Sequence, residues 1–296
     1  MIIVKIRGGL GNQLFQYAIG QALTHHKGTP IKLDISWFDD QTTRNYALPH
    51  YQIEAEVASP AEIDHLTGAQ LRGLRRKLFN FIQRHRPYYR RNVVEEKIAR
   101  RFDPNIFRIK EDAYLIGYWQ TEKYFKNIEA SLRREFRLKE EIGGKNASVA
   151  NQIEGVNSVS LHVRRGDYVT NPRYRRKFGV CSLGYYQQAF AMIADRISNP
   201  RIFVFSDDTA WARENLKFQY PITYVDHNSK EEAHQDLRLM SLCKHHITAN
   251  STFSWWGAWL CEHPDKIVVT PERWFKQSDQ KMHDLIPDGW HKIGAW

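Results

Sequence analysis

The chain is short of sulfur. Its 296 residues hold three cysteines, Cys181, Cys243 and Cys261, widely spaced and with no CxxC pair. That argues against a disulfide framework or a thiolate zinc site and fits a reducing compartment. Long apolar runs are also missing. No segment reaches the roughly 18 uninterrupted apolar residues of a membrane span. At the N-terminus, Lys5 and Arg7 interrupt the apolar run before a glycine turn, unlike a secretion signal. The expectation is a cytosolic protein without a transmembrane anchor. GxxxxGK[ST], HExxH and GxSxG are absent, which disfavours a P-loop ATPase, a zinc peptidase and an α/β-hydrolase. Acidic residues are few relative to basic ones: 33 against 43, for a net charge of +10. A chain this basic is expected to meet something anionic, whether nucleic acid, phospholipid or a phosphorylated small molecule. No recognised nucleic-acid module is present, so no nucleic-acid partner is expected.

What is present suggests two α/β lobes. Hydrophobic residues make up 42% of the chain, enough for real cores. Ile2 to Ile6 form an apolar strand, and a helix starting at Asn12 places Leu14, Phe15, Ala18, Ile19, Ala22 and Leu23 on one face. Gly28 is placed to end that helix, and Ile31 to Ile35 form the next strand. Residues 122 to 137 look helical. After a polar, glycine-containing stretch (Glu140 to Ser158), strand and helix alternate again: strands near 156–163, 202–205, 246–249 and 267–269, helices near 184–197, 231–244 and 252–262. The expected domains are 1–150 and 151–296, with a cleft between them and ligands at the carboxyl ends of parallel strands. Between the lobes' first strands lies "RGLRRKLFNFIQRHRPYYRRN", densely basic with interleaved Leu74, Leu78, Phe79, Phe81 and Ile82. This pattern predicts an amphipathic helix whose basic face is solvated or meets an anionic membrane or a charged acceptor.

Four short stretches could carry chemistry. In "SVSLHVRRGDYV", alternation puts Val159, Leu161 and Val163 on one strand face and His162 and Arg164 on the other. Arg164 and Arg165 at the strand's end suit a pyrophosphate clamp, because guanidinium binds phosphate oxygens bidentately; the alternative is an Arg–Asp salt bridge involving Asp167. An integrin-type RGD role does not fit an intracellular strand end. In "ANSTFSWWGAWL", Asn250, Ser251 and Thr252 precede a helix whose free N–H groups attract phosphate, although capping alone could explain Ser251. The aromatic residues that follow are expected in the core. "FVFSDD" ends a strand with Asp207 and Asp208, which could cap a helix, accept ribose hydroxyls or bind a metal. Asp236, on an apolar helix, is either a surface charge or a guanine reader. The doublets His25-His26 and His245-His246 lack metal spacing and are expected near helix ends. The opening "RGGLGNQLF" supplies two glycines of a dinucleotide fingerprint, but Leu14 stands where the third belongs, with Asp34 as the candidate ribose acid.

"GGLGNQLFQYA", "HVRRGDY", "FSDD" and "ANSTFSWWGAWL", in this order, resemble the α-1,2-fucosyltransferases of glycosyltransferase family 11. The resemblance extends from about residue 1 to 275 and is weakest in the basic middle. It implies an α/β GT-B fold of two Rossmann-like lobes. It also implies inverting transfer of fucose from GDP-β-L-fucose to O2 of a terminal β-galactose on an oligosaccharide or lipopolysaccharide precursor, with no metal and no further cofactor. Arg164 is then expected on the β-phosphate, with Arg165 supporting it. His162 and Asp236 match positions that contact guanine or ribose, Asp207 and Asp208 a donor-site pair, and Asn250, Ser251 and Thr252 the phosphate turn. Gly11, Asn12 and Gln13 match a loop lining the fucose. Asp167 is the first candidate for the general base, or else an anchor for Arg165. The α-1,6 relatives carry a glutamate later in this loop, where Asn171, Pro172 and Arg173 stand here. The missing membrane anchor implies a bacterial, cytoplasmic enzyme of O-antigen biosynthesis, with segment 72–101 as a candidate peripheral dock if the acceptor is lipid-linked.

Overall fold

A computed structural model describes residues 1–41, 43–276 and 284–296. It divides into two compact units, one built on Met1–Lys139 with Asp284 and Leu285, the other on the chain from Glu140 onward. The division falls at Lys139 and Glu140 rather than at residue 150. Residues 144–154 form a helix whose Val149, Ala150 and Ile153 pack into the second unit's core against Phe203, Phe205 and Leu239.

The first unit contains β1 (Ile2–Lys5), α1 (Leu10–Lys27), β2 (Ile31–Asp34), β3 (Glu56–Val57), α2 (Pro60–Thr67), α3 (Gly73–His85), β4 (Val93–Glu95), β5 (Ala113–Ile116) and α4 (Glu129–Glu135). Its five strands are all parallel, in the order β3-β2-β1-β5-β4. Ile2, Ile3 and Val4 are all buried, as a central parallel strand covered on both faces requires. The first helix starts at Leu10, not Asn12, with Gly9 as a cap that offers no side chain. It ends at Gly28 in the left-handed region, φ 70°. It sits tightly on the sheet at Gly20, where a β-carbon would stand 2.6 Å from Ile31 Cδ1. The expected helix over 122–137 contracts to α4, preceded by two short 3-10 turns.

The second unit contains α5 (Gly144–Glu154), β6 (Asn157–Val163), α6 (Gly166–Thr170), α7 (Pro172–Lys177), α8 (Leu183–Ala194), β7 (Pro200–Ser206), α9 (Thr209–Asn215), β8 (Ile222–Val225), α10 (Ala233–Leu242), β9 (His245–Ile247), α11 (Thr252–Leu260), β10 (Val268–Pro271) and β11 (His291–Ile293). Six parallel strands run β11-β10-β9-β6-β7-β8. The side of β6 carrying Val159, Leu161 and Val163 packs with α8 through Tyr185, Tyr186 and Phe190. The sheet's other side is covered by α5 and α10. The polar residues of β6, Ser158, Ser160 and His162, are therefore buried as well. His25 and His26 lie in the last turn of α1, as expected, and His245 and His246, buried, open β9 just past the end of α10. Trp255, Trp256 and Trp259 of α11 pack together in the core, as expected, with Trp255 and Trp256 centroids 4.9 Å apart.

Both sheets change direction at one place. In the second, successive strands run from β6 through β7 to β8 on one side and from β9 through β10 to β11 on the other, so the switch point lies between β6 and β9. In the first it lies between β1 and β5. Crevices at the carboxyl ends of strands beside such points are where open α/β sheets take ligands. Among the described residues, no helix is long and apolar enough to cross a membrane.

Candidate functional site

Because β9, β6 and β7 are parallel neighbours, the segments that follow them emerge side by side. After β6 come Arg164, Arg165 and Gly166; after β7, Asp207 and Asp208; after β9, Asn250, Ser251 and Thr252. Arg164 is held from two sides. Its Nη2 donates to Asp167 Oδ1 at 2.6 Å, and its Nη1 lies 2.9 Å from Asp207 Oδ2. Burial works against the guanidinium charge, but Asp207 and Asp167 outweigh it, and the Arg164 pKa is raised. Arg164 is a fixed cation with N–H groups left over from the five that guanidinium carries. Arg165 is anchored separately. Its Nε meets Asp208 Oδ2 at 3.1 Å, its backbone N–H donates to Asp207 Oδ1 at 2.8 Å, and its guanidinium stacks 3.9 Å from the Trp211 ring centroid. Asp167 thus pairs with Arg164. Gly166 is glycine for a local reason: a β-carbon there would stand 2.5 Å from Asp207 Oδ2.

His162 precedes this cluster on β6. Its ring is 4% exposed, and Nδ1 has no hydrogen-bond partner. Burial, then the neighbouring Arg164 charge, pushes its pKa down to about 3. The imidazole is neutral near pH 7 and offers polarity without charge. Phe253, half-buried at the start of α11, faces it with ring centroids 5.6 Å apart. Ser251 caps α11, its hydroxyl accepting from Phe253 N at 3.3 Å; Ser251 and Thr252 remain partly exposed, and the first turn carries no acidic residue.

Asn250 departs from expectation. It is 1% exposed, and its amide nitrogen donates to the carbonyls of Gly179 at 2.8 Å and Trp274 at 3.1 Å. Its side chain ties three loops together and has no donor left for a ligand. Asp207 and Asp208 likewise face the arginines, and Asp208 also caps α9 through Trp211 N. Among the described residues, no three His, Cys, Asp or Glu side chains gather as metal ligands would.

Asp236 lies in a polar group beyond β8 that sequence reasoning did not assemble. Asn228 Nδ2 donates to Asp236 Oδ1 at 2.7 Å, Asn228 and Asn146 exchange hydrogen bonds at 3.0 Å, and His227 Nε2 lies 2.8 Å from Asn146 Oδ1. Burial, only partly offset by Asn228, raises the Asp236 pKa to about 7. The available signal was "DHNSK" immediately after a strand, at the carboxyl end of β8.

In the first unit, Gly11, Asn12 and Gln13 lie in the first turn of α1 rather than in a loop. Gln13 is fully buried; its amide nitrogen donates to Gly8 O and Asn45 O and its oxygen accepts from Ala47 N, at 2.8 to 3.0 Å, so it braces the glycine turn and both its donors are spent. Gly11 is buried too. Asn12 is only partly buried, its Oδ1 accepting from Gln120 Nε2 at 2.9 Å across the β1/β5 switch point. Behind Gln120, Trp119 has φ 54°, and the half-buried Glu96 carboxylate accepts from Tyr118 N at 2.8 Å. Nothing in the sequence pattern singled out Glu96 or Gln120.

The model of Glycosyl transferase family 11 matches residues 88–294. The chain belongs to this family. It is 31% identical over 302 residues to an α-1,2-colitosyltransferase of Escherichia coli, covering 99% of each chain, and 34% identical over 307 residues to the O-antigen biosynthesis glycosyltransferase WbnK of Escherichia coli, covering 96% of this chain and 98% of the other. Its fold matches the crystal structure of the NodZ α-1,6-fucosyltransferase of Bradyrhizobium soaked with GDP-fucose at TM-score 0.50 and 16% identity, covering 88% of this chain and 91% of that one. The α/β, GT-B-type fold of two Rossmann-like lobes is as the motifs implied. Asn250→Ala and Gln13→Ala leave buried backbone groups unpaired and should each lower the unfolding free energy by about 2–4 kcal/mol. Urea denaturation of each variant measures this, and a loss below about 0.5 kcal/mol would mean that the amides brace nothing.

Proposed function

We propose that the chain moves L-fucose from GDP-β-L-fucose to O2 of a terminal β-galactose, with inversion and without a metal ion. The observation that carries this reading is Arg164, a cation fixed at the β6/β9 switch point by Asp167 and Asp207, beside the hydroxyl-bearing start of α11. In the reaction, the bond between fucose C1 and the β-phosphate oxygen breaks, and its electrons leave on GDP. Arg164, with Ser251, Thr252 and the α11 N-terminus, stabilises the charge that builds there, doing the work a metal ion does elsewhere. The sugar becomes oxocarbenium-like, and the galactose O2 attacks from the opposite face and loses its proton, giving an α-linkage. Arg165 holds the loop. Asp167, 2.6 Å from Arg164, is assigned to positioning that cation, and proton loss from O2 is late and needs little help. Asp236 with Asn228 reads the guanine edge, and neutral His162 lies beside Arg164 as a further donor-site contact. Asn12 acts on the sugar transfer rather than on GDP.

A second donor has a specific observation behind it, the full-length similarity to a colitosyltransferase. Colitose lacks the 3-hydroxyl of fucose, and a site that hydrogen-bonds that hydroxyl rejects the deoxy sugar. The deciding experiment gives the enzyme GDP-fucose or GDP-colitose with an array of β-galactosides in EDTA and measures GDP release and product linkage. Preference for GDP-fucose with undiminished rate in EDTA supports the proposal. A kcat/KM at least about tenfold higher with GDP-colitose moves the assignment to that sugar, and a strict need for added Mn²⁺ removes the metal-free mechanism.

Arg164→Ala should lower kcat by about 100-fold or more, and Arg164→Lys, which keeps a charge between the two aspartates, should recover part of it. Asn12→Ala should slow transfer while leaving GDP affinity within about twofold; an equal loss of GDP affinity in the Arg164 and Asn12 variants would contradict this division of labour. Asp236 must be ionised to accept from the guanine N1–H and amino groups. With its pKa at about 7, GDP-fucose should bind about tenfold tighter at pH 8 than at pH 6, and Asp236→Asn should flatten that dependence. Calorimetry with GDP-fucose, whose diphosphate has no ionisation in that range, measures it.

A further inference from the structure

The third helix, α3 (Gly73–His85), is amphipathic in the reverse sense. Its side chains reach the rest of its unit through Arg76, Phe79 and Gln83, spaced as one helical face, and its Arg84 carbonyl accepts from Arg91. Arg76 donates to the Gly68 carbonyl, the Phe79 ring covers Gly68, and Gln83 exchanges hydrogen bonds with Asn92 at 2.7 and 3.2 Å. These three are partly buried; no residue of the helix is fully buried. The opposite face, at the i, i+4, i+7, i+8 spacing, is Leu74, Leu78, Phe81 and Ile82, exposed by 81%, 58%, 62% and 39%. A helix that packed only to complete the fold would turn these four inward.

The charge pattern identifies the occupant of that face. Between Asp64 and Glu95 there is no acidic residue and there are eight arginines and lysines, most of the chain's net charge of +10. Arg75 flanks the apolar stripe on one side, Lys77 and Arg84 on the other. An apolar ridge between rows of cations matches a bilayer surface of anionic lipid, with hydrocarbon in the middle and phosphates at both edges. It does not match a second copy of this chain, which would set the same cations against each other, nor a nucleic acid, which gives an apolar ridge nothing to bury. We infer that α3 lies in the plane of an anionic phospholipid bilayer, with Leu74, Leu78, Phe81 and Ile82 in the acyl boundary and the basic rows on lipid phosphates. This goes beyond the sugar-transfer reading and does not depend on which sugar is moved.

The test uses the full-length protein in flotation with vesicles of phosphatidylcholine alone or mixed with phosphatidylglycerol. The wild type should partition at least about tenfold more onto the anionic vesicles and be released by high salt. Leu74→Ser/Leu78→Ser/Phe81→Ser should reduce that partitioning about tenfold, and Arg75→Glu/Lys77→Glu/Arg84→Glu should abolish it. Both triple variants alter exposed side chains only, so their far-UV circular dichroism and GDP affinity should match the wild type. Equal binding to both vesicle types, no binding to either, or unchanged binding by the serine variant would overturn the inference. So would self-association of the wild type in sedimentation that the serine substitutions dissolve.

Discussion

The second unit is organised around one half-buried cation, Arg164. Placing the Arg164 guanidinium at the end of β6 costs desolvation, and the structure offsets that cost with carboxylates from two segments, Asp167 on the same turn and Asp207 at the end of the adjacent strand. Other features follow from this arrangement. Asp207 approaches so closely that a β-carbon at residue 166 would displace its carboxylate, and the same carboxylate takes the Arg165 backbone N–H. Arg165, turned away from Asp207, takes Asp208 and the face of Trp211 instead. Removing one partner of such a cluster does more harm than replacing it all, because it strands the remaining charges.

Much of this was legible in the sequence. The alternation through "SVSLHVRRGDYV" placed His162 and Arg164 on one side of a strand ending at the arginines, and Gly28 was correctly the end of α1. Burial on both faces of β6 was not legible, because Ser158, Ser160 and His162 mimic a solvated face; α5 and α10, which cover it, come from distant segments. Short strands such as β8, behind Pro221, and β11, near the chain's end, are too brief to show a period. The least legible distinction concerned amides. A buried asparagine or glutamine that satisfies backbone carbonyls and one that holds a ligand require the same residue type beside the same kind of turn. Asn250 and Gln13 proved to be the first kind, and only the partners Gly179, Trp274, Asn45 and Ala47, remote in sequence from them, reveal it.

The two units solve similar problems with different chemistry. At the β6/β9 switch point the chain invests in charge: two arginines, three aspartates and a helix start free of acids. At the β1/β5 switch point amides and backbone predominate, with Gly8 at φ 82°, Asn12 on Gln120 and Gln16 bonded to Arg7 N and Gly117 O, and charge stands beside them: the Arg7 guanidinium lies 4.8 Å from the Tyr118 ring centroid and Arg44 lies against Gly9. Amides supply directional partners, and guanidinium supplies donors together with a net field.

The arginine cluster has a consequence for how a ligand would find it. Two guanidinium groups stand against three carboxylates, so the group as a whole projects little positive potential into solvent. An anion would feel the guanidinium groups themselves chiefly within hydrogen-bonding range. Attraction at longer range has a source close by: α7 follows this cluster in the chain and carries Arg173, Arg175, Arg176 and Lys177, all exposed and with no acidic residue among them. The basic stretch around α3 is a second source, so attraction at a distance and recognition in contact fall to different residues.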